Sequence, residues 1–124
     1  RFNRLMDFLA SDASPIRRFT PKGADPDAIF DVHGIIQQSH LEVDWADMHD
    51  VLKPHKGPLG LQDYQKVHAP VLGTDRDIFD QRGIDRGAGA LVVVRPDQYV
   101  SLVLPLDGFE ALTEFFSRFM VEAD

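Results

Sequence analysis

Five histidines, His33, His40, His49, His55 and His68, are the side chains of this sequence best suited to hold a metal or move a proton near neutral pH. Their spacing does not support that chemistry. None forms an H-x-x-x-H or H-E-x-x-H pair, and the chain has no cysteine to supply the thiolates that structural zinc favours. The densest polar cluster is Asp44, Asp47, His49 and Asp50. On a helix Asp44 would neighbour Asp47, and Asp47 would neighbour Asp50. An acidic solvent face near a helix N-terminus accounts for that cluster more simply than a cation site does. Ser11, Ser14, Ser39, Ser101 and Ser117 stand in no G-x-S-x-G elbow, so no serine is marked as a nucleophile. Gly87-Ala88-Gly89 precedes an apolar run, whereas the dinucleotide fingerprint follows a strand and opens a helix, so these glycines read as a turn.

Two charged groups complete the inventory. Lys53-Pro54-His55-Lys56 is a small basic patch, able to pair with a partner surface but read as solvated. Arg82, Asp85, Arg86, Arg95 and Asp97 gather around the ends of a C-terminal hairpin and read as a structural ion-pair network, which is common without catalysis. The pattern assigns no catalytic, cofactor-binding or metal-ligating residue.

Composition narrows the function classes. A chain of 124 residues with 44% hydrophobic and 27% charged side chains fits one soluble globular domain, residues 1–124. Thirteen Lys and Arg stand against twenty Asp and Glu, a formal charge of −7. Nucleic-acid affinity rests on neutralising phosphates with Lys and Arg, so that balance argues against such a partner. No apolar run approaches the ~20 residues of a membrane span. The absence of cysteine removes disulfides, thiol nucleophiles and C-x-x-C redox chemistry, and the lack of a secretory h-region favours a cytoplasmic protein.

The elements that must position these residues follow from periodicity. Phe2, Leu5, Met6 and Leu9 make one helical stripe with no capping residue before it, as if the chain begins in mid-structure, and the helix should stop near residues 11–14 because of Pro15. Residues 15–26 read as a loop. Residues 29–36 favour a strand by their β-branched content, with a helix opened by Asp25-Pro26 as the alternative. Trp45, Met48 and Leu52 suggest a helix over residues 44–52, ended by Pro54. Residues 53–74 read as a long ordered loop anchored by Leu59, Leu61, Tyr64, Val67 and Val71. Residues 75–80 suit a helical turn. Residues 90–94 and 99–104 form a β-hairpin through the turn Arg95-Pro96-Asp97-Gln98. Asp107 with Glu110 resembles a capping box for a helix whose stripe is Phe109, Leu112, Phe116 and Phe119, and Asp124 follows that helix.

One stretch carries more than periodicity. Asp77-Ile-Phe-Asp-Gln-Arg-Gly-Ile-Asp-Arg86, continuing through Gly89 into Leu91-Val-Val-Val-Arg-Pro-Asp-Gln-Tyr-Val100, resembles the C-terminal domain of flavin-dependent phenol hydroxylases, above all the 3-hydroxybenzoate 4-monooxygenase branch. Ile16-Arg-Arg-Phe-Thr-Pro21, Lys56-Gly57, Leu61, Asp63, Tyr64, Lys66 and the run from Val103 to Asp107 fit the same branch.

That resemblance implies a thioredoxin-like α/β sheet with flanking helices, lacking its first strand here, in a non-catalytic structural and oligomerisation domain. It implies a homodimer, with upstream FAD and substrate domains of the same protein as further partners. FAD and NADPH belong to the parent hydroxylase, and no cofactor is expected on this chain. Without the thioredoxin dithiol, thiol–disulfide exchange is excluded. The missing strand would lie between residues 29–36 and the hairpin, so it should come from another fragment or chain, or the isolated segment should be unstable. The alternative is a stand-alone, redox-inactive thioredoxin-like module that binds a protein through residues 53–74. A third expectation, an enzymatic role for the domain itself, would need a pocket with convergent titratable groups.

Overall fold

A computed structural model describes residues 1–123, so the expectation for Asp124 lies outside the described residues. Its elements are α1 (Phe2–Ala10), α2 (Pro15–Phe19), β1 (Gly34–Ile35), β2 (His55–Lys56), β3 (Leu61–Gln62), β4 (Val67–His68), α3 (Ile78–Gln81), β5 (Leu91–Val94), β6 (Val100–Leu104) and α4 (Phe109–Ser117). The fold is mixed α/β, as the sequence predicts.

Helix α1 buries Leu5, Met6 and Leu9, the stripe read from its spacing, and has no side-chain cap at Arg1. These three join Leu52 and Leu112 as the centre of the core. Around them pack Leu91, Val93, Leu102 and Leu104, the inward-facing residues of the C-terminal hairpin. Helix α4 is tied to α1 by a parallel stack of Phe8 on Phe109, with ring centroids 4.6 Å apart. Phe116 meets Phe30 edge to face at 4.9 Å. Such aromatic pairs add stabilisation beyond the area they bury.

Several expectations are corrected. Residues 15–26 are not all loop, because Pro15 opens α2 rather than only ending α1. The Ser14 side chain accepts from Arg17 N, and Pro15, which has no N–H to waste, takes the first helical position. Residues 29–36 contribute only the two-residue strand β1. The helix alternative fails because Asp25 closes a turn on Ala28 and gives its carboxylate to Gly57 N at 2.9 Å. In place of a helix over 44–52 there are two 3₁₀ turns, Trp45–Asp47 and Asp50–Leu52. His49 interrupts the helix by capping the second turn, accepting from Val51 N at 3.2 Å through Nδ1. Within residues 53–74, β2 and β3 pair as a hairpin and β4 runs parallel to β1. Of the five proposed anchors only Val67 packs on the core, while Leu59, Leu61, Tyr64 and Val71 are exposed.

The C-terminal hairpin is antiparallel and matches its predicted turn: Gln98 N donates to Arg95 O at 2.9 Å across Pro96 and Asp97. Gln98 follows with φ 72, a left-handed residue of the kind that closes three-residue hairpin loops. The capping box is not formed. Gly108 is the N-cap of α4 without a side-chain bond, and Asp107 contributes its backbone carbonyl to Phe109 N instead. Phe119 lies past the end of α4 and is exposed. Among the described residues the strands form three separate two-stranded ladders, β1–β4, β2–β3 and β5–β6, rather than one sheet.

Candidate functional site

Two features stand out from the packing: a cluster of charges held low between loops, and an apolar sheet face turned to solvent.

Lys66 is the centre of the first. It precedes β4, is 5% exposed, and its ammonium lies 3.1 Å from Asp27 and 3.5 Å from Asp63 while donating to Asp31. Lys56, on β2, donates to Asp27 at 2.7 Å and to Asp63 at 3.1 Å. Two ammonium groups and three carboxylates therefore clamp the loop before β1 to the β2–β3 hairpin and to β4. Hydrogen bonds from Lys56, ahead of those from Lys66, hold Asp27 below its ordinary carboxylate range. The Gln65 N–H, then Lys56, brings Asp63 down to about 2. Burial opposes ionisation of Asp31, yet hydrogen bonds from Lys66 and His33 outweigh it and lower its value. Burial likewise works against the Lys66 ammonium, and bonds to Asp31 and Asp27 prevail and raise it. The Asp27 bond chiefly raises Lys56. All five groups are thus fixed in their charged forms, which suits a structural clamp and not a proton-transfer site.

The histidines divide. His33 and His68 share a hydrogen bond of 2.8 Å between Nδ1 and Nε2, and His33 Nε2 lies 3.1 Å from Asp31. His49 Nε2 meets Asp7 at 3.0 Å, joining the second 3₁₀ turn to α1. His40 and His55 are exposed. Among the described residues no three His, Asp or Glu side chains converge as a metal set. Asp44, Asp47, His49 and Asp50 do not act together: Asp44 caps the first 3₁₀ turn and His49 the second, and Asp50 lies 3.9 Å from Lys53.

Of the basic patch, Lys56 is the clamp residue and not a solvated side chain. The group around the hairpin ends is two networks. Arg86 bridges the buried Asp77 at 2.8 Å and Asp80 at 2.9 Å, which raises its value, and Arg95 pairs with Asp97 at the hairpin tip at 2.6 Å. Asp77 also caps α3, accepting from Phe79 N at 3.0 Å.

The Gly87-Ala88-Gly89 turn does not fit a cofactor phosphate. Two of its three amides are already spent on Asp85, Ala88 N on the carboxylate at 2.7 Å and Gly89 N on the carbonyl at 2.8 Å. Nor does the groove between α1 and α4 gather reactive groups. Its hydroxyls, Thr113 and Ser117, donate back to the carbonyls one helical turn earlier, and its titratable residues are Glu110 and Glu114.

The second feature is the outer face of β5–β6. Val92 opposes Val103 and Val94 opposes Val100, and all four valines are exposed although the opposite face of the hairpin packs on the core. Val100 and Val103 share this face despite their odd spacing because the register shifts between Val93 and Val94, leaving Ser101 as the extra residue of a bulge. The sequence does not single this face out, since residues 91–94 and 100–104 are apolar on both faces apart from Ser101.

Comparison with known proteins completes the description. Residues 1–124 match the family described as phenol hydroxylase, C-terminal dimerisation domain. The chain is 54% identical over 118 residues to 3-hydroxybenzoate 4-monooxygenase of Comamonas testosteroni, covering 94% of this chain and 18% of that protein. It is 32% identical over 123 residues to the FAD-dependent monooxygenase terD of Aspergillus terreus, covering 97% of this chain and 20% of that one. A phenol 2-monooxygenase, fsqG, of Aspergillus fumigatus is 29% identical over 119 residues, with 94% and 18% covered. The chain spans about a fifth of the length of these relatives.

Proposed function

The chain belongs to the phenol hydroxylase C-terminal dimerisation domain family, and from that premise we propose that it is the non-catalytic association domain of an FAD-dependent, NADPH-using aromatic hydroxylase. The observation that carries this reading is the likeness to 3-hydroxybenzoate 4-monooxygenase along nearly the whole chain. Residues 1–124 act as one domain, whose partners are a second copy and the FAD- and substrate-binding domains of the same protein. Its short ladders are pieces of a thioredoxin-like sheet completed by a strand from outside these residues. Such a scaffold without a dithiol retains shape and loses redox chemistry. A cytoplasmic location is part of the same proposal. Among the described residues no helix is long and apolar enough to cross a membrane.

The full-length protein tests this directly. It should show a flavin absorbance spectrum, oxidise NADPH faster with 3-hydroxybenzoate than with phenol, and scatter light as a dimer. A colourless, monomeric full-length protein would overturn the reading and favour the stand-alone binding module.

A further inference from the structure

We propose that the outer face of the β5–β6 hairpin, Val92, Val94, Val100 and Val103, is the surface on which a second copy of this chain docks, the two hairpins meeting face to face across a two-fold axis. The inference rests on the association reading above and adds the surface that performs it.

An isologous contact sets each surface patch against itself, so charged patches meet their own sign. On a chain with formal charge −7 that condition disfavours the acidic parts of the surface. The exposed apolar residues around Trp45 and Tyr64, whose rings lie 5.0 Å apart, sit in sequence beside Glu42, Asp44 and Asp47 and would repel their copies. The hairpin face carries no charge. The nearest charged side chains in its sequence, Arg95 and Asp97, neutralise each other at 2.6 Å, and Arg95 lies over the Tyr99 ring at 5.8 Å. The four valines are 42 to 60% exposed, whereas Leu91, Val93, Leu102 and Leu104 beside them are partly buried against the core. Valine is stiff at its single χ angle, so burying it costs little side-chain entropy. Cross-strand pairing puts Val92 against Val103 and Val94 against Val100, a compact block and not a scatter of single apolar residues. A stable interface needs about 800 Å² per partner, so the valines form its centre, with exposed Tyr99 at one end.

The test uses the full-length protein and size exclusion with light scattering at two concentrations. Unsubstituted protein should be dimeric. The pair Val92→Lys and Val103→Lys should halve the mass with flavin content and circular dichroism unchanged, whereas Leu59→Lys should leave the dimer intact. If unsubstituted protein is monomeric, the association reading itself fails. If it is dimeric and the lysine variant is too, association stands and this surface is wrong, the face then belonging to another part of the polypeptide. Should the lysine variant not fold, single cysteines at Val92, Val94, Val100 or Val103 decide. An oxidised intermolecular cross-link beyond that of unsubstituted protein supports the proposal, and its absence at all four overturns it.

Discussion

Gly34 lies against Leu52 so closely that a Cβ at position 34 would stand 2.9 Å from Leu52 Cδ1 and 3.4 Å from the Phe2 ring. Leu52 is fully buried at the centre of the core and has nowhere to retreat. Gly34→Ala should therefore destabilise by about 1–3 kcal/mol, the usual cost of overpacking. Urea unfolding would show it, and the loss should shrink on a Leu52→Ala background because the two sites couple. An additive double mutant would contradict this account.

Ser14 performs two tasks at the junction of two helices. Its hydroxyl donates to Leu9 O at 2.8 Å, and its oxygen accepts from Arg17 N at 3.3 Å, with no exposure to water. Ser14→Ala should lower the unfolding free energy by about 1–2 kcal/mol, the range for losing a cap. Ser14→Asp should restore the cap to α2 but not the donor to Leu9, and so recover only part of the loss.

The clamp around Lys66 predicts a pH dependence with a definite sign. Asp27, Asp31 and Asp63 all ionise more readily than ordinary carboxylates, whose value is 3.8, and Asp63 falls to about 2. Their stabilisation is complete above about pH 4 and is lost as pH falls through the depressed values. At the alkaline end Lys56 and Lys66 are raised above 10.5, so their share is intact below that value and is lost only as pH rises through the raised ones. Lys66→Met would leave the carboxylates facing one another and should cost about 3 kcal/mol at pH 7. The deficit should narrow at pH 3, where protonation relieves the repulsion. Denaturant midpoints of both proteins at the two pH values would check this, and equal deficits would refute it.

Thr20 offers the opposite change. Its Oγ1 is buried without a hydrogen-bond partner, a cost of about 1–3 kcal/mol for a group removed from water. Thr20→Val keeps the β-branched shape and removes the unsatisfied oxygen, so the melting temperature should rise. A fall would mean that the hydroxyl is satisfied in solution.

What could be read from sequence was local. The hairpin depends on two apolar runs around a Pro-Asp turn and α1 on a three-to-four-residue stripe, and both take their predicted form. Ser14-Pro15 carries a helix-start signal as well as a helix-stop signal, and the structure uses both. Trp45, Met48 and Leu52 have helical spacing, yet His49 competes for the backbone and splits the segment into two turns. The clamp was invisible for a different reason. Asp27, Lys56 and the Asp63–Lys66 pair come from three separate segments, and no periodicity links those segments. The same separation made Lys56 look like a solvated lysine. The exposed valine face was hidden by its own apolarity, since a hairpin buried on both sides and one awaiting a partner share the same composition.

The parallel ladder of β1 and β4 joins Gly34 to Val67, 33 positions along the chain, through only two residues on each strand. The β5–β6 hairpin and α4, by contrast, are neighbours in sequence. Closing the long excursion exacts a large entropy loss before two short strands return anything. The C-terminal hairpin and helix should thus assemble early in folding, and the ladder should zip up last. In the native protein that order runs backwards: the amides of Gly34 and Ile36, which donate to Lys66 O and His68 O, should exchange with deuterium well before those of β5 and β6.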